Sequence, residues 1–109
     1  MDAHELADSI AQLDRSGKLY HEFLRVPSMS AGVYRLHAGA IDPQSPHTED
    51  ELYTIISGRG SIKVGAEDRS VAAGSSVFVA ANIEHRFHSI EEDLIVLVFF
   101  APAEYSQKK

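Results

Sequence analysis

Apolar residues follow two different rhythms along this chain. Over the first fifteen positions they keep helical spacing: Leu6, Ile10 and Leu13 stand at i, i+4 and i+7 and form one stripe. Asp2, with Glu5 three residues later, has the form of a capping box, and Gly17 is a stop signal, so a helix is predicted over 3–15. Glu5, Asp8, Gln12 and Arg15 make its solvated face. A helix of about a dozen residues is marginal alone and must lie on an apolar surface.

From position 22 onward, short β-branched and aromatic runs alternate with Gly, Pro, Asn and Asp. Strands are predicted at 22–26, 32–38, 51–57, 61–64, 69–72, 76–79, 85–90 and 94–100. Gly58-Arg59-Gly60 is read as a hairpin turn, 65–68 as a second turn, and Glu49-Asp50 and Glu91-Glu92-Asp93 as solvated turns. This rhythm belongs to an antiparallel sandwich or barrel, and closure into a barrel or jelly roll shields the edges of so small a sheet. The expected organisation is a helical segment over 1–20, a β-barrel over 21–105 and a loose tail over 106–109.

A length of 109 residues is that of one domain, and 44% hydrophobic with 24% charged residues is an ordinary globular balance. Sixteen acidic against ten basic residues leave a charge of −6, which argues against a nucleic-acid partner. The longest apolar run, 94–101, is eight residues and cannot span a bilayer. The acidic start, Met1-Asp2-Ala3-His4-Glu5, lacks the features of a signal peptide, so a cytoplasmic protein without membrane partners is expected. Cysteine is absent, which excludes disulfides, thiolate metal sites and cysteine nucleophiles. No glycine-rich phosphate loop and no serine nucleophile elbow occurs.

Histidines and carboxylates are left to carry the chemistry. Pro43 and Pro46 upstream, and Tyr53-Thr54-Ile55-Ile56 downstream, favour a turn and then a strand around Glu51. Alternation then puts Glu51, Tyr53 and Ile55 on one face. A carboxylate heading an apolar face needs a counter-charge or a metal. In the strand opened by His85, His85, Phe87 and Ser89 share one face, with Arg86 and His88 on the other. His47, Glu51 and His85 can therefore converge inside one barrel.

The chain resembles the cupins, the double-stranded β-helix family. That family's first motif is Gly, five residues, His, one residue, His, three or four residues, Glu, six residues, Gly. Gly39, His47, Glu51 and Gly58 fall in its register, with Ser45 at the place of the first histidine. In the second motif (Gly, five residues, Pro, one residue, Gly, two residues, His, three residues, Asn) Gly74 and His85 match. Ala80, Asn82 and Ser89 stand in place of its Pro, Gly and Asn. The resemblance implies an all-β fold, a jelly-roll-like cupin barrel with a short N-terminal α-helix. It implies His47, Glu51 and His85 as ligands of a divalent transition metal: Fe, Zn, Ni or Mn. Two histidines and one glutamate have the composition of the facial triad of non-haem Fe(II) oxygenases and equally suit Zn²⁺ or Ni²⁺. Glu49 is a reserve ligand.

Tyr53 and Phe87 share faces with Glu51 and His85 and are the expected pocket-wall, substrate-binding residues. His4, His21, His37 and His88, with Arg35 and Arg59, are read as surface or supporting residues. The expected function is metal-dependent dioxygenase or isomerase chemistry on a small organic molecule. The alternatives are a non-catalytic cupin that binds a small molecule or sugar derivative, and a structural dimer domain whose pocket Tyr53 and Phe87 fill; for the site itself the alternative is a metal-free, hydrogen-bonded Glu–His cluster. A homodimer is expected, because edge strand 22–26 and the amphipathic helix both need partners.

Overall fold

A computed structural model describes residues 1–107. One helix, α1 (Leu6–Ser16), precedes six strands: β1 (Tyr20–Val26), β2 (Met29–Leu36), β3 (Asp50–Val64), β4 (Glu67–Ala72), β5 (Ser76–Val79) and β6 (His85–Ala101). They form one antiparallel sheet in the order β1-β2-β6-β3-β4, with β5 also paired to β3. Inward alternation along β2, β3 and β6 supplies the core, including Leu36, Tyr53, Ile55, Ile62, Phe87 and Val96.

The helix starts three residues later than the capping-box reading placed it. Glu5 is the N-cap and makes no side-chain capping bond, and Ala3 and His4 lie exposed ahead of the helix, with the His4 ring against Phe23. Gly17 ends the helix in a left-handed conformation as expected. Leu13 is fully buried, Leu6 and Ile10 are half-buried, and the stripe packs on β1 and β2 of its own chain. The helix therefore needs no seat on a second copy, and of the two reasons for expecting a homodimer only the edge strand β1 remains.

Two of the predicted turns are strand instead. Segments 51–57 and 61–64 are one strand, β3, and 85–90 and 94–100 are one strand, β6. Gly58-Arg59-Gly60 is a bulged stretch of β3, not a hairpin turn, and Glu91–Asp93 is exposed strand within β6. The pairing register shifts three times, between Ile55 and Ser57, Ser57 and Arg59, and Arg59 and Ser61. Each bulge adds local twist, and together they bend the β3–β6 ladder. Gly58 sits at this bend with φ 88°, where a Cβ would collide with the Asp93 carbonyl oxygen. Gly58→Ala is therefore expected to cost at least about 2 kcal/mol, combining left-handed backbone strain with a backbone clash. Chemical denaturation checks this, and a loss below about 0.5 kcal/mol would show that the bend tolerates a side chain.

The same bend brings distant residues together. Val64, at the end of β3, pairs with His85, while Glu51, at its start, pairs with Phe100. A straight ladder would hold Glu51 and the Val64–His85 pair about 40 Å apart. The coiled ladder turns back on itself and returns His85 to Glu51.

Candidate metal centre

His47 lies at the end of the long loop after β2, Glu51 at the second position of β3, and His85 at the first position of β6. All three are buried, and one ligand atom from each lies within 4.8 Å of the others. His85 Nε2 stands 3.2 Å from Glu51 Oε1, and His47 Nδ1 stands 3.6 Å from the same oxygen. Both Glu51 oxygens, His47 Nδ1 and His85 Nε2 are enclosed without a hydrogen bond of acceptable geometry. Buried polar atoms are rarely left so, and two imidazoles and a carboxylate drawn together in this way are a donor set for a cation.

The opposite nitrogen of His85 is held: Nδ1 is 2.9 Å from the Ile83 carbonyl oxygen. That contact places the proton on Nδ1 and leaves the Nε2 lone pair toward Glu51. Burial pulls the His85 pKa down, but the Glu51 carboxylate and the Ile83 carbonyl outweigh it, and the net shift is upward. His47 is packed between rings, Phe100 at 4.7 Å between centroids and Tyr105 stacked at 5.3 Å.

The backbone explains how the motif departures are accommodated. Asn82 and Ser89, in place of the family's Gly and Asn, both adopt positive φ (64° and 49°). Asn82 N–H donates to the His47 carbonyl at 2.7 Å, so the loop before β6 is tied to the loop before β3. The turn of the backbone at Ser89 also breaks the expected alternation: Ser89 is exposed and Ile90 takes the inner position.

Several other expectations change. Tyr53 and Phe87 are core residues, 0% and 1% exposed, packed edge to face at 5.0 Å between centroids. Neither lines the cavity that opens beside His47 and Glu51. A cavity of about 210 Å³ opens beside His47 and Glu51, and its polar wall is Tyr20, Tyr34, Gln44, Ser45, Glu104 and Tyr105. Tyr20 reaches it because Gly32 has no side chain; a Cβ there would collide with the phenol. Burial, then Glu104, Glu22 and Glu51, raise the Tyr20 pKa, so its hydroxyl stays protonated, and it is buried without a partner. Glu49, read as a solvated turn or a reserve ligand, is 1% exposed and is not among the converging ligands. It accepts from the backbone N–H of Tyr105 and of Gln107, and from the Thr48 hydroxyl. Burial pushes its pKa up, but the Thr48, Gln107 and Tyr105 donors and then His47 outweigh that and hold the carboxyl below its usual range.

His88 faces outward and bonds Asp68 at 2.8 Å, and His37 is exposed against Asp93 at 3.1 Å. Arg35 pairs with Asp14 of the helix, and Arg59 with Glu91 and Glu92. Asp42, Glu104, Tyr20 and Tyr105 had no periodicity to mark them. The tail expected from Ser106 has Ser106 N–H on the Ala103 carbonyl and Gln107 N–H on Glu49; Lys108 and Lys109 lie outside the described residues.

Residues 32–100 match the family model of the cupin domain. The chain belongs to the cupin family. An uncharacterized protein of Streptomyces coelicolor is 47% identical over 104 residues, covering 95% of this chain and 99% of that protein. An RmlC-like cupin from Methanocaldococcus jannaschii with a double-stranded β-helix fold superposes with a TM-score of 0.70 at 18% identity, covering 78% of this chain and 80% of that one. The DMSP lyase DddQ from Ruegeria pomeroyi gives 0.65 at 25% identity over 70% of this cupin, which spans 39% of the lyase chain. No helix among the described residues is long and apolar enough to cross a membrane.

Proposed function

We propose that this cupin holds one divalent transition metal through His47, Glu51 and His85 and uses it on a small organic molecule admitted to the adjoining cavity. One observation carries the reading: a buried carboxylate and two imidazole nitrogens face one another with no hydrogen bonds among them. A metal in such a set supplies Lewis-acid or oxygen-activating chemistry, the basis of isomerase and dioxygenase reactions. The protein's own groups do the rest. The protonated Tyr20 hydroxyl donates to an oxygen of the bound molecule, and Tyr34 and Tyr53 steady the wall through Asp42 and Gln44. Capture without turnover is the second reading, favoured by the same Tyr20 hydroxyl, which needs an acceptor whether or not a reaction follows.

Titrating chelator-treated protein with Zn²⁺ or Co²⁺ tests the centre, with one equivalent bound as the expected result. Ligation needs neutral imidazole, and the His85 pKa is raised. Affinity should thus be flat at alkaline pH and fall by about tenfold per pH unit below the His85 pKa, beginning above the ordinary imidazole value of about 6.5. Uptake of less than about a tenth of an equivalent at pH 8 would overturn the metal reading and leave a Glu–His cluster.

A further inference from the structure

The segment after β6 carries a role that neither cupin motif assigns. Glu104 and Tyr105 line the cavity beside the site, and their segment, 103–107, is fastened at several points. Ala103 is buried, Glu104 N–H donates to Ser30 Oγ at 2.8 Å, and Arg25 donates to the Glu104 carbonyl at 2.7 Å. Glu49 receives the N–H groups of Tyr105 and Gln107. Tyr105 is held at φ 60°, a conformation that a non-glycine residue keeps only where its surroundings impose it. The result is a strap that sets the Glu104 carboxylate, 16% exposed, with Oε2 3.0 Å from His47 Nε2.

Resting on the metal reading, we propose that Glu104 is the positioning residue of the centre. It accepts a hydrogen bond from His47 Nε2–H and so turns the Nδ1 lone pair toward Glu51. The two imidazoles are then treated alike. Each has one nitrogen against an oxygen acceptor, Glu104 for His47 and the Ile83 carbonyl for His85, and its other nitrogen facing the Glu51 carboxylate. A carboxylate behind a ligating histidine fixes its tautomer and raises its basicity. Three glutamates divide the labour: Glu51 faces the metal point, Glu104 backs His47, and Glu49 holds the strap that delivers Glu104. In a chain with Ser45 where the family has a ligating histidine, this support falls on the histidine that remains.

Two readouts test the proposal. In metal-free protein at pH 8, ¹⁵N imidazole shifts should show His47 as the Nε2–H tautomer, and Glu104→Ala should convert it to a mixture. By calorimetric titration, Glu104→Ala should weaken Zn²⁺ binding by about 10–100-fold. Glu104→Gln, which keeps an uncharged acceptor, should recover part of the loss. Glu49→Gln, which leaves Glu104 in place but loosens its strap, should fall in the same direction. An unchanged His47 tautomer in Glu104→Ala, or Zn²⁺ affinity within about twofold of wild type, would overturn it. Should wild type bind no metal while the tautomer still depends on Glu104, the metal reading fails and the positioning role stands.

Discussion

Glu51→Gln is expected to weaken Zn²⁺ binding by at least about 100-fold while leaving the metal-free protein at pH 8 as stable as wild type or more so. The two halves of this result have one cause. Glu51 is 2% exposed, and neither oxygen has a hydrogen-bond donor. With no cation bound, its charge is enclosed without a hydrogen bond of acceptable geometry, a costly arrangement. Glutamine removes that charge at nearly constant volume. It also removes the anionic ligand, and an amide oxygen is a weak substitute. Glutamate here would thus lower the stability of the empty fold and raise the affinity of the filled one. Thermal melts with and without Zn²⁺ separate the effects: wild type should gain far more from the metal than the variant, by mass action. A variant that melts well below wild type at pH 8 without metal would mean that Glu51 serves the fold as a structural partner of the histidines.

Asp42→Ala should produce the largest loss of stability, about 3–5 kcal/mol. Asp42 is 6% exposed and lies in the loop that leads to His47. Its carboxylate accepts the Tyr34 hydroxyl at 2.6 Å, the Phe87 backbone N–H at 2.8 Å, and the Gln44 backbone and side-chain N–H groups at 3.2 and 2.8 Å. Hydrogen bonds to a charged acceptor contribute about 1.5–3 kcal/mol each, and the buried Phe87 N–H would be left unsatisfied. Through this side chain the loop is tied to Tyr34 of β2 and Phe87 of β6, so the variant should also bind metal more weakly. Asp42→Asn, with one good acceptor oxygen, should recover part of the loss. Urea midpoints at constant slope measure it, and a loss under about 1 kcal/mol would mean that water replaces the carboxylate without cost.

Much of this site was legible because it depends on period and spacing. Alternation in β3 placed Glu51 and Tyr53 inward, and in β6 it placed His85 and Phe87 inward and His88 outward, as the burial pattern shows. Alternation is local, since consecutive side chains of a strand must point to opposite faces. It fails at Ser89, where left-handed backbone resets the phase, and composition alone does not announce a bulge. The same blindness turned Gly58-Arg59-Gly60 into a hairpin. A glycine of positive φ serves a turn or a bulge equally well, and what chooses between them is the partner strand, here β6 with the Asp93 carbonyl against Gly58.

Which residue types could ligate, on which strand face, and in which family's order was therefore settled by the chain itself, through rules that act over a few residues. The tertiary structure decided the meeting of Glu51 with His85, because it takes the summed bend of a long ladder to bring opposite ends together. It also decided that Tyr53 and Phe87 are core, that Asp42 and Glu49 are buried anchors, and that Glu104 stands behind His47. Those assignments depend on which donor or wall lies across the fold from each side chain, and burial and hydrogen bonding are properties of that neighbourhood rather than of the residue.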